Sequence, residues 1–228
     1  MEFTHGSTFS NIKPSGILWD MDGVLVDTAD AHYQSWLDVL APYGIKFDRD
    51  IFNMTFGMNN QSIIYKLFGS DFPDDEFARI SDEKELAFRS AIKGKVNLLP
   101  GVRDWLECFY ANKIPQAVAS SAPFENIDAV LDETGIRPSF QAIISAFGMP
   151  GKPDPWVFLE AGKRLGVNAE TAIVLEDSPA GVLGAHRAGY HCIAVSSLLT
   201  PEESKTADLL VDRLDHVNII DIERIISE

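Results

Sequence analysis

The chain predicts an α/β fold: a parallel sheet with helices on both faces, and a small all-helical cap inserted after the first strand. Three observations carry this. From about Val96 onward, short apolar runs alternate with amphipathic helical patterns, as in strands buried on both faces and joined by crossover helices. Between about Ala31 and Leu98 there are helical stripes and no convincing strand. The first apolar run, Ile17-Leu18-Trp19, stops abruptly at Asp20-Met21-Asp22-Gly23, as a strand leaving a sheet would. The expected division is residues 1–30 and 99–228 for the α/β core and 31–98 for the cap.

Taken in order, each element has its own signal. In the cap, Tyr33, Trp36, Leu37 and Leu40 make one helical stripe. Ile63, Ile64, Leu67 and Phe68 make a second, and Phe77, Ile80, Lys84, Ala87 and Phe88 a third. Past Gly101, the spacing of Val102, Trp105, Leu106 and Phe109 predicts the first core helix. Pro115 to Ala119 reads as a buried strand. Ser121 and Pro123 are expected to cap and open the helix that buries Phe124, Ile127 and Leu131. Ala142-Ile143-Ile144 is the next strand. Asp154-Pro155 reads as an N-cap with proline at the first helical position, and Gly166 as the end of that helix. Thr171 to Leu175 is a strand, Ser178-Pro179 starts a helix ending near Gly189, and His191 to Val195 closes the series.

Bulk properties narrow the function. The 228 residues suit one medium domain with an insert. Against 34 acidic residues stand 19 basic ones, a net charge of −15. A field of that sign disfavours nucleic acid and anionic membranes as partners. No apolar run approaches the ~18 residues of a spanning helix. Met1 to Lys13 is polar without an apolar signal core, so a cytoplasmic protein with a terminal tail is expected. Cys108 and Cys192 match no metal or redox spacing, which suits a reducing compartment. A monomer is the default expectation at this size.

The chemistry gathers at strand ends. Asp20 and Asp22 follow the first strand, Ser120 follows Ala117-Val118-Ala119, Lys152 precedes Pro153-Asp154-Pro155, and Glu176-Asp177 follow Ala172 to Leu175. In a parallel sheet these junctions share one edge. Three or four carboxylates in one crevice repel unless a cation or shared protons offset them, which points to a divalent metal, with Mg²⁺ the natural oxygen-seeking ion. Phosphoryl transfer would use these residue types. One carboxylate can attack phosphorus and a protonated second can supply the leaving oxygen's proton. Ser120 can hydrogen-bond a phosphoryl oxygen, Lys152 can neutralise it, and backbone N–H groups after Asp20 and at Ser121 can complete the cradle. Singly, each residue also has an ordinary reading: turn serine, surface lysine, or acids at a helix start. Their joint order carries the weight.

On Asp20-Met21-Asp22-Gly23-Val24-Leu25, Ala119-Ser120, Gly151-Lys152-Pro153 and Leu175-Glu176-Asp177-Ser178, the chain resembles the haloacid dehalogenase superfamily, in the branch of β-phosphoglucomutase and related sugar phosphatases. The resemblance covers nearly the whole chain. It implies a Rossmann-like parallel sheet core with a helical cap, Asp20 as nucleophile and Asp22 as general acid/base. It further implies Mg²⁺ held by the side chains of Asp20 and Asp177 and the backbone carbonyl of Asp22, with Glu176 nearby or bound through water. Ser120 and Lys152 would hold the phosphoryl group. Dehalogenases of this fold lack an acid at the position of Asp22, so the pair favours phosphoryl transfer.

Within that branch, His32 falls where the mutases have a histidine that couples cap closure to acid/base action, and Thr28 lies near the same turn. Mutases carry an arginine for the distal phosphate where this chain has Asn60, a neutral side chain that cannot form a charge-assisted fork. Lys84 falls near a cap lysine of the mutases, the alternative being a solvated helix face. Substrate choice is expected to rest on cap residues such as Gly57, Asn60 and Lys84. The expected activity is a Mg²⁺-dependent phosphatase of a small phosphorylated metabolite, a sugar phosphate foremost. The alternatives are β-phosphoglucomutase and a non-catalytic phosphate-binding module.

Overall fold

The computed structural model describes residues 9, 12–55, 58–196 and 206–227. The chain divides into two compact units: one ends at Asp27 and resumes at Asn97, and the other is Thr28–Val96. Ile17–Trp19 forms β1, wholly buried. The second unit follows with α1 (Ala29–Leu40), α2 (Arg49–Thr55), α3 (Asn60–Phe68) and α4 (Asp74–Ile92). Its core joins Trp36, Leu40, Ile63, Ile64 and Ile80 of the sequence stripes with Phe47 and Phe52, which lie outside them. Asn59 caps α3 by accepting the Ser62 N–H at 2.8 Å.

The first unit resumes with α5 (Val102–Ala111), β2 (Gln116–Ser120), α6 (Phe124–Thr134), β3 (Ala142–Ser145) and α7 (Trp156–Leu165). Then come β4 (Ile173–Glu176), α8 (Pro179–Arg187), β5 (His191–Val195), β6 (Leu209–Val211) and α9 (Ile219–Ile225). The strands are all parallel, in the order β3-β2-β1-β4-β5-β6. From β1 the chain moves outward to β2 and β3, then returns to the other side of β1 for β4. Ligands bind open α/β sheets where the strand order reverses, here at the carboxyl ends of β1 and β4.

Alternating side chains of the buried strands serve two faces. Leu18, Ala117, Ala119 and Val174 meet Val157, Phe158 and Ala161 of α7 and Val182 and Ala185 of α8. The opposite face carries Trp19, whose ring meets Phe109 of α5 edge-on at 6.1 Å. The indole N–H of Trp19 donates to Gln116 Oε1 at 3.1 Å, and Gln116 Nε2 donates to the Leu106 carbonyl at 3.2 Å. One buried amide thus ties two strands to α5 with its polar atoms satisfied.

Within the first unit, the segments that lead into and out of the insertion pair with each other. Val26 pairs with Leu98 in an antiparallel bridge, and Leu99 N–H donates to the Leu25 carbonyl at 2.9 Å.

Two helix starts differ from expectation. Helix α6 begins at Phe124 with Pro123 in the capping position, and Ser121 makes no cap; the Ser120 hydroxyl accepts the Ala122 N–H instead at 3.1 Å. Helix α7 begins at Trp156, one residue after the expected Pro155, and the Asp154 carboxylate accepts the Trp156 N–H at 3.0 Å, as an N-capping side chain does. Strand β6 and helices α2 and α9 go beyond the sequence reading. None of the helices of the described residues is long and apolar enough to cross a membrane.

Candidate active site

Register brings the acids together. Trp19 of β1 lies opposite Leu175 of β4, and the Asp20 N–H donates to the Leu175 carbonyl at 2.9 Å. The pairing therefore carries Asp20 to the level of Glu176, the last residue of β4. Lys152, on the loop between β3 and α7, reaches both. Its ammonium donates to Asp20 Oδ1 and to Glu176 Oε1, each at 2.5 Å.

Glu176 is fully buried, and both of its oxygens are engaged. Oε1 takes Lys152, while Oε2 accepts the N–H groups of Asp177 and Ser178, each at 2.8 Å, and the Ser178 hydroxyl at 3.0 Å. That hydroxyl also accepts the Gly181 N–H at 3.1 Å, capping α8. One serine thereby starts a helix and orients a carboxylate. Gly181 is needed for room, since a methyl group there would meet the Glu176 carboxyl at 1.9 Å.

The loop after β1 is drawn against Asp177 in the same way. Gly23 has φ +84°, and a Cβ on it would lie 2.0 Å from Asp177 Oδ2. Only glycine gives both the backbone conformation and the space. The Gly23 N–H donates to the Val26 carbonyl at 2.8 Å, and the Leu25 N–H donates to the Met21 carbonyl at 2.9 Å, closing the turn that contains Asp22.

Asp20, Glu176 and Asp177 each offer an oxygen within 4.8 Å of the others. Asp22 is not a member of this group; it is half-buried in the turn. Burial first of all, with the charges of Glu176 and Asp22, pushes the Asp20 carboxyl up to about 7 against the pull of Lys152. Burial, then Glu176 and Asp20, holds Asp177 well above the usual carboxylate range. Burial alone would lower Lys152, but Asp20 and Glu176 outweigh it and keep the ammonium charged. Hard oxygen donors carrying more negative charge than one lysine offsets fit a small divalent cation. Ser120 is buried at the carboxyl end of β2, the strand on the other side of β1, and Ser121 is half-buried beside it.

The residues expected in the cap form their own cluster within the helical unit. Lys84 is 3% exposed, so the solvated-face alternative falls. Its ammonium lies 3.0 Å from His32 Nδ1 and donates to Glu85 Oε1 at 3.0 Å. Asn60 Nδ2 donates to the same Glu85 oxygen at 2.6 Å and to Ser81 Oγ at 2.9 Å. His32 stacks on Phe88 with ring centroids 4.1 Å apart. Thr28 is buried, and its carbonyl accepts the His32 N–H at 2.9 Å. Gly57 lies outside the described residues. Sequence reasoning missed Glu85 and the double-duty hydroxyl of Ser178. The second had a signal in Ser-Pro following two acids; the first had none.

Known proteins share the sequence pattern and the fold of this chain. The haloacid dehalogenase-like hydrolase family matches residues 17–195. The 5-amino-6-(5-phospho-D-ribitylamino)uracil phosphatase of Arabidopsis thaliana is 30% identical over 92% of this chain, which spans only 57% of that relative's length. The fructose-1-phosphate phosphatase of Escherichia coli is 29% identical, over 81% of this chain and 97% of the relative. Among solved structures, β-phosphoglucomutase from Clostridium difficile superposes with a TM-score of 0.84 at 27% identity, covering 94% of this chain and 97% of the other. The chain belongs to the haloacid dehalogenase-like hydrolase family.

Proposed function

We propose that this member of the family is a Mg²⁺-dependent phosphatase that hydrolyses a small phosphorylated metabolite, a sugar phosphate foremost, through an aspartyl-phosphate on Asp20. The carrying observation is the convergence of Asp20, Glu176, Asp177 and Lys152 at the ends of β1 and β4. Asp20 attacks phosphorus and the ester oxygen leaves with a proton from Asp22. Water then attacks the phosphorus of the acyl phosphate, returning that proton to Asp22 and releasing orthophosphate. Lys152, held in place by Glu176, offsets charge on the phosphoryl oxygens. Ser120 and the N–H groups around Ser121 complete its cradle. Bound through Asp20, Asp177 and the Asp22 carbonyl, Mg²⁺ would supply the charge neutralisation that lets a carboxylate approach a phosphate.

Relatives and neighbours include both phosphatases and a mutase, and the helical unit supports hydrolysis. Asn60 stands where the mutases carry arginine, and its amide is engaged by Glu85 and Ser81. The test is orthophosphate release from a panel of sugar and polyol phosphates with Mg²⁺ present, with acid-quenched protein assayed for a labile phosphoenzyme. Release that disappears in Asp20→Asn is expected. No release from any panel member overturns the proposal.

A further inference from the structure

We propose that helix α8 positions Lys152 for the phosphoryl group from both of its ends, with Ser178 and Arg187 as the positioning residues; this rests on the phosphatase reading above. At the amino end, the Ser178 hydroxyl donates to Glu176 Oε2 at 3.0 Å and accepts the Gly181 N–H at 3.1 Å. The other oxygen of that carboxylate takes the Lys152 ammonium at 2.5 Å. A carboxylate aimed by the helix start therefore aims the ammonium. At the carboxyl end, Arg187 Nη1 donates to the Pro153 carbonyl at 3.1 Å, on the residue next to Lys152.

Between those ends the helix lies close against the segment that follows Lys152. A Cβ on Gly184 would stand 3.3 Å from Phe158 Cε2 and 3.6 Å from the Pro153 carbonyl carbon and the Asp154 carbonyl oxygen. The Lys152 ammonium lies 5.1 Å from the centre of the same Phe158 ring. The lysine head is thus fixed through Glu176 and its backbone through Pro153, and one helix carries both attachments. Neither bond is needed to build the helix. Glycine starts a helix almost as well as serine, and the Arg187 side chain is exposed. Lysine is a point charge on a flexible four-carbon stem. Held in advance, it gives up less freedom when an anion arrives, and supporting bonds of this kind supply that precision.

Orthophosphate is the probe, titrated calorimetrically into the full chain with Mg²⁺. Ser178→Gly keeps the helix start and removes the hydroxyl; it should weaken orthophosphate by about ten-fold, as loss of a hydrogen bond to a charged group does. Ser178→Thr returns the hydroxyl and should bind within about two-fold of the unmodified protein. Arg187→Met should weaken binding by about three-fold. The ammonium NMR signal of Lys152, assigned by its disappearance in Lys152→Arg, reports the lysine head directly in metal-free protein. It should shift in Ser178→Gly and Arg187→Met and return in Ser178→Thr, while urea unfolding of all three stays near that of the unmodified protein. Full affinity in either Ser178→Gly or Arg187→Met, or lost affinity beside an unmoved Lys152 signal, overturns this inference while leaving the phosphatase reading standing. An unmodified protein that neither binds orthophosphate nor releases it from any sugar phosphate sinks the phosphatase reading and this one with it.

Discussion

Each unit buries a lysine, and the two are accommodated in opposite ways. Lys152 lies between Asp20 and Glu176, with Asp177 as a third carboxylate beside them. Lys84 pairs with the carboxylate of Glu85 and also meets His32 Nδ1 and the rings of Trp36 and Phe88. Carboxylates outnumber the lysine in the first cluster, and the second is built on a direct ion pair. Matched buried charge is a way to satisfy groups already present. Uneven buried charge is costly by itself and becomes favourable when a cation and an anionic ligand arrive.

The largest effect expected from this contrast is on catalysis. Asp20→Asn should reduce phosphate release by about 10⁴-fold or more, as loss of a nucleophile does. The same change should leave the metal-free protein no less stable in urea, since it removes one of several mutually repelling charges. A marked loss of stability would show that the α/β cluster is a balanced structural network like the other, and the comparison would break.

The second effect is the converse. Lys84→Met removes the ammonium from the buried carboxylate of Glu85 and should cost about 3–5 kcal/mol in urea unfolding. Adding Glu85→Leu should recover most of that loss, because both partners are then apolar. A single-variant cost below about 1 kcal/mol would mean that this ion pair behaves as if solvated.

How much of this was legible beforehand follows the same division. The acids and Ser120 were readable because each ends an apolar run, and Lys152 because it precedes the Pro153-Asp154-Pro155 helix start; a parallel sheet sends such junctions to one edge. The helical unit was readable as stripes only. Lys84 sits on a stripe among Phe77, Ile80 and Phe88, but spacing cannot distinguish a buried lysine from one at the margin, and Glu85 becomes its partner only through tertiary packing. Strand β6 escaped because it is three residues long at the sheet edge with Leu210 exposed, too short a run for alternation to register. Helix α9 is likewise short; its capping box of Asn218 and Asp221 was its clearest mark.

The smallest effects concern pH. The raised Asp20 and Asp177 carboxyls bind protons more tightly folded than unfolded. Their contribution is full below the ordinary value of 3.8 and is lost as pH rises toward about 7. Metal-free protein should therefore lose stability across that window in urea titrations. Mg²⁺ at a hundred times its Kd should restore about 2.7 kcal/mol, and Asp177→Asn should remove this gain. Asp208 has the opposite sign. Despite its burial, hydrogen bonds from the Cys192 N–H, His186 and His191 hold its carboxyl low. Its contribution is present above 3.8 and lost as pH falls below it. Asp208→Asn should cost only about 1 kcal/mol, measured near neutral pH. Rising stability of the metal-free protein between pH 4 and 7 would mean that the Asp208 kind of interaction dominates the active-site carboxyls as well.

The clasp of Val26 on Leu98 and of Leu99 on Leu25 carries a consequence for how such a protein can change. The chain departs from the sheet unit and re-enters it through one gateway, so the sheet unit experiences everything between as a single surface loop. Closure entropy grows only slowly with loop length, so modules of different size can be exchanged through that gateway without redesign of the strands beneath. The cutting points for a chimera are written into two backbone hydrogen-bonded steps rather than into any surface the exchanged module presents.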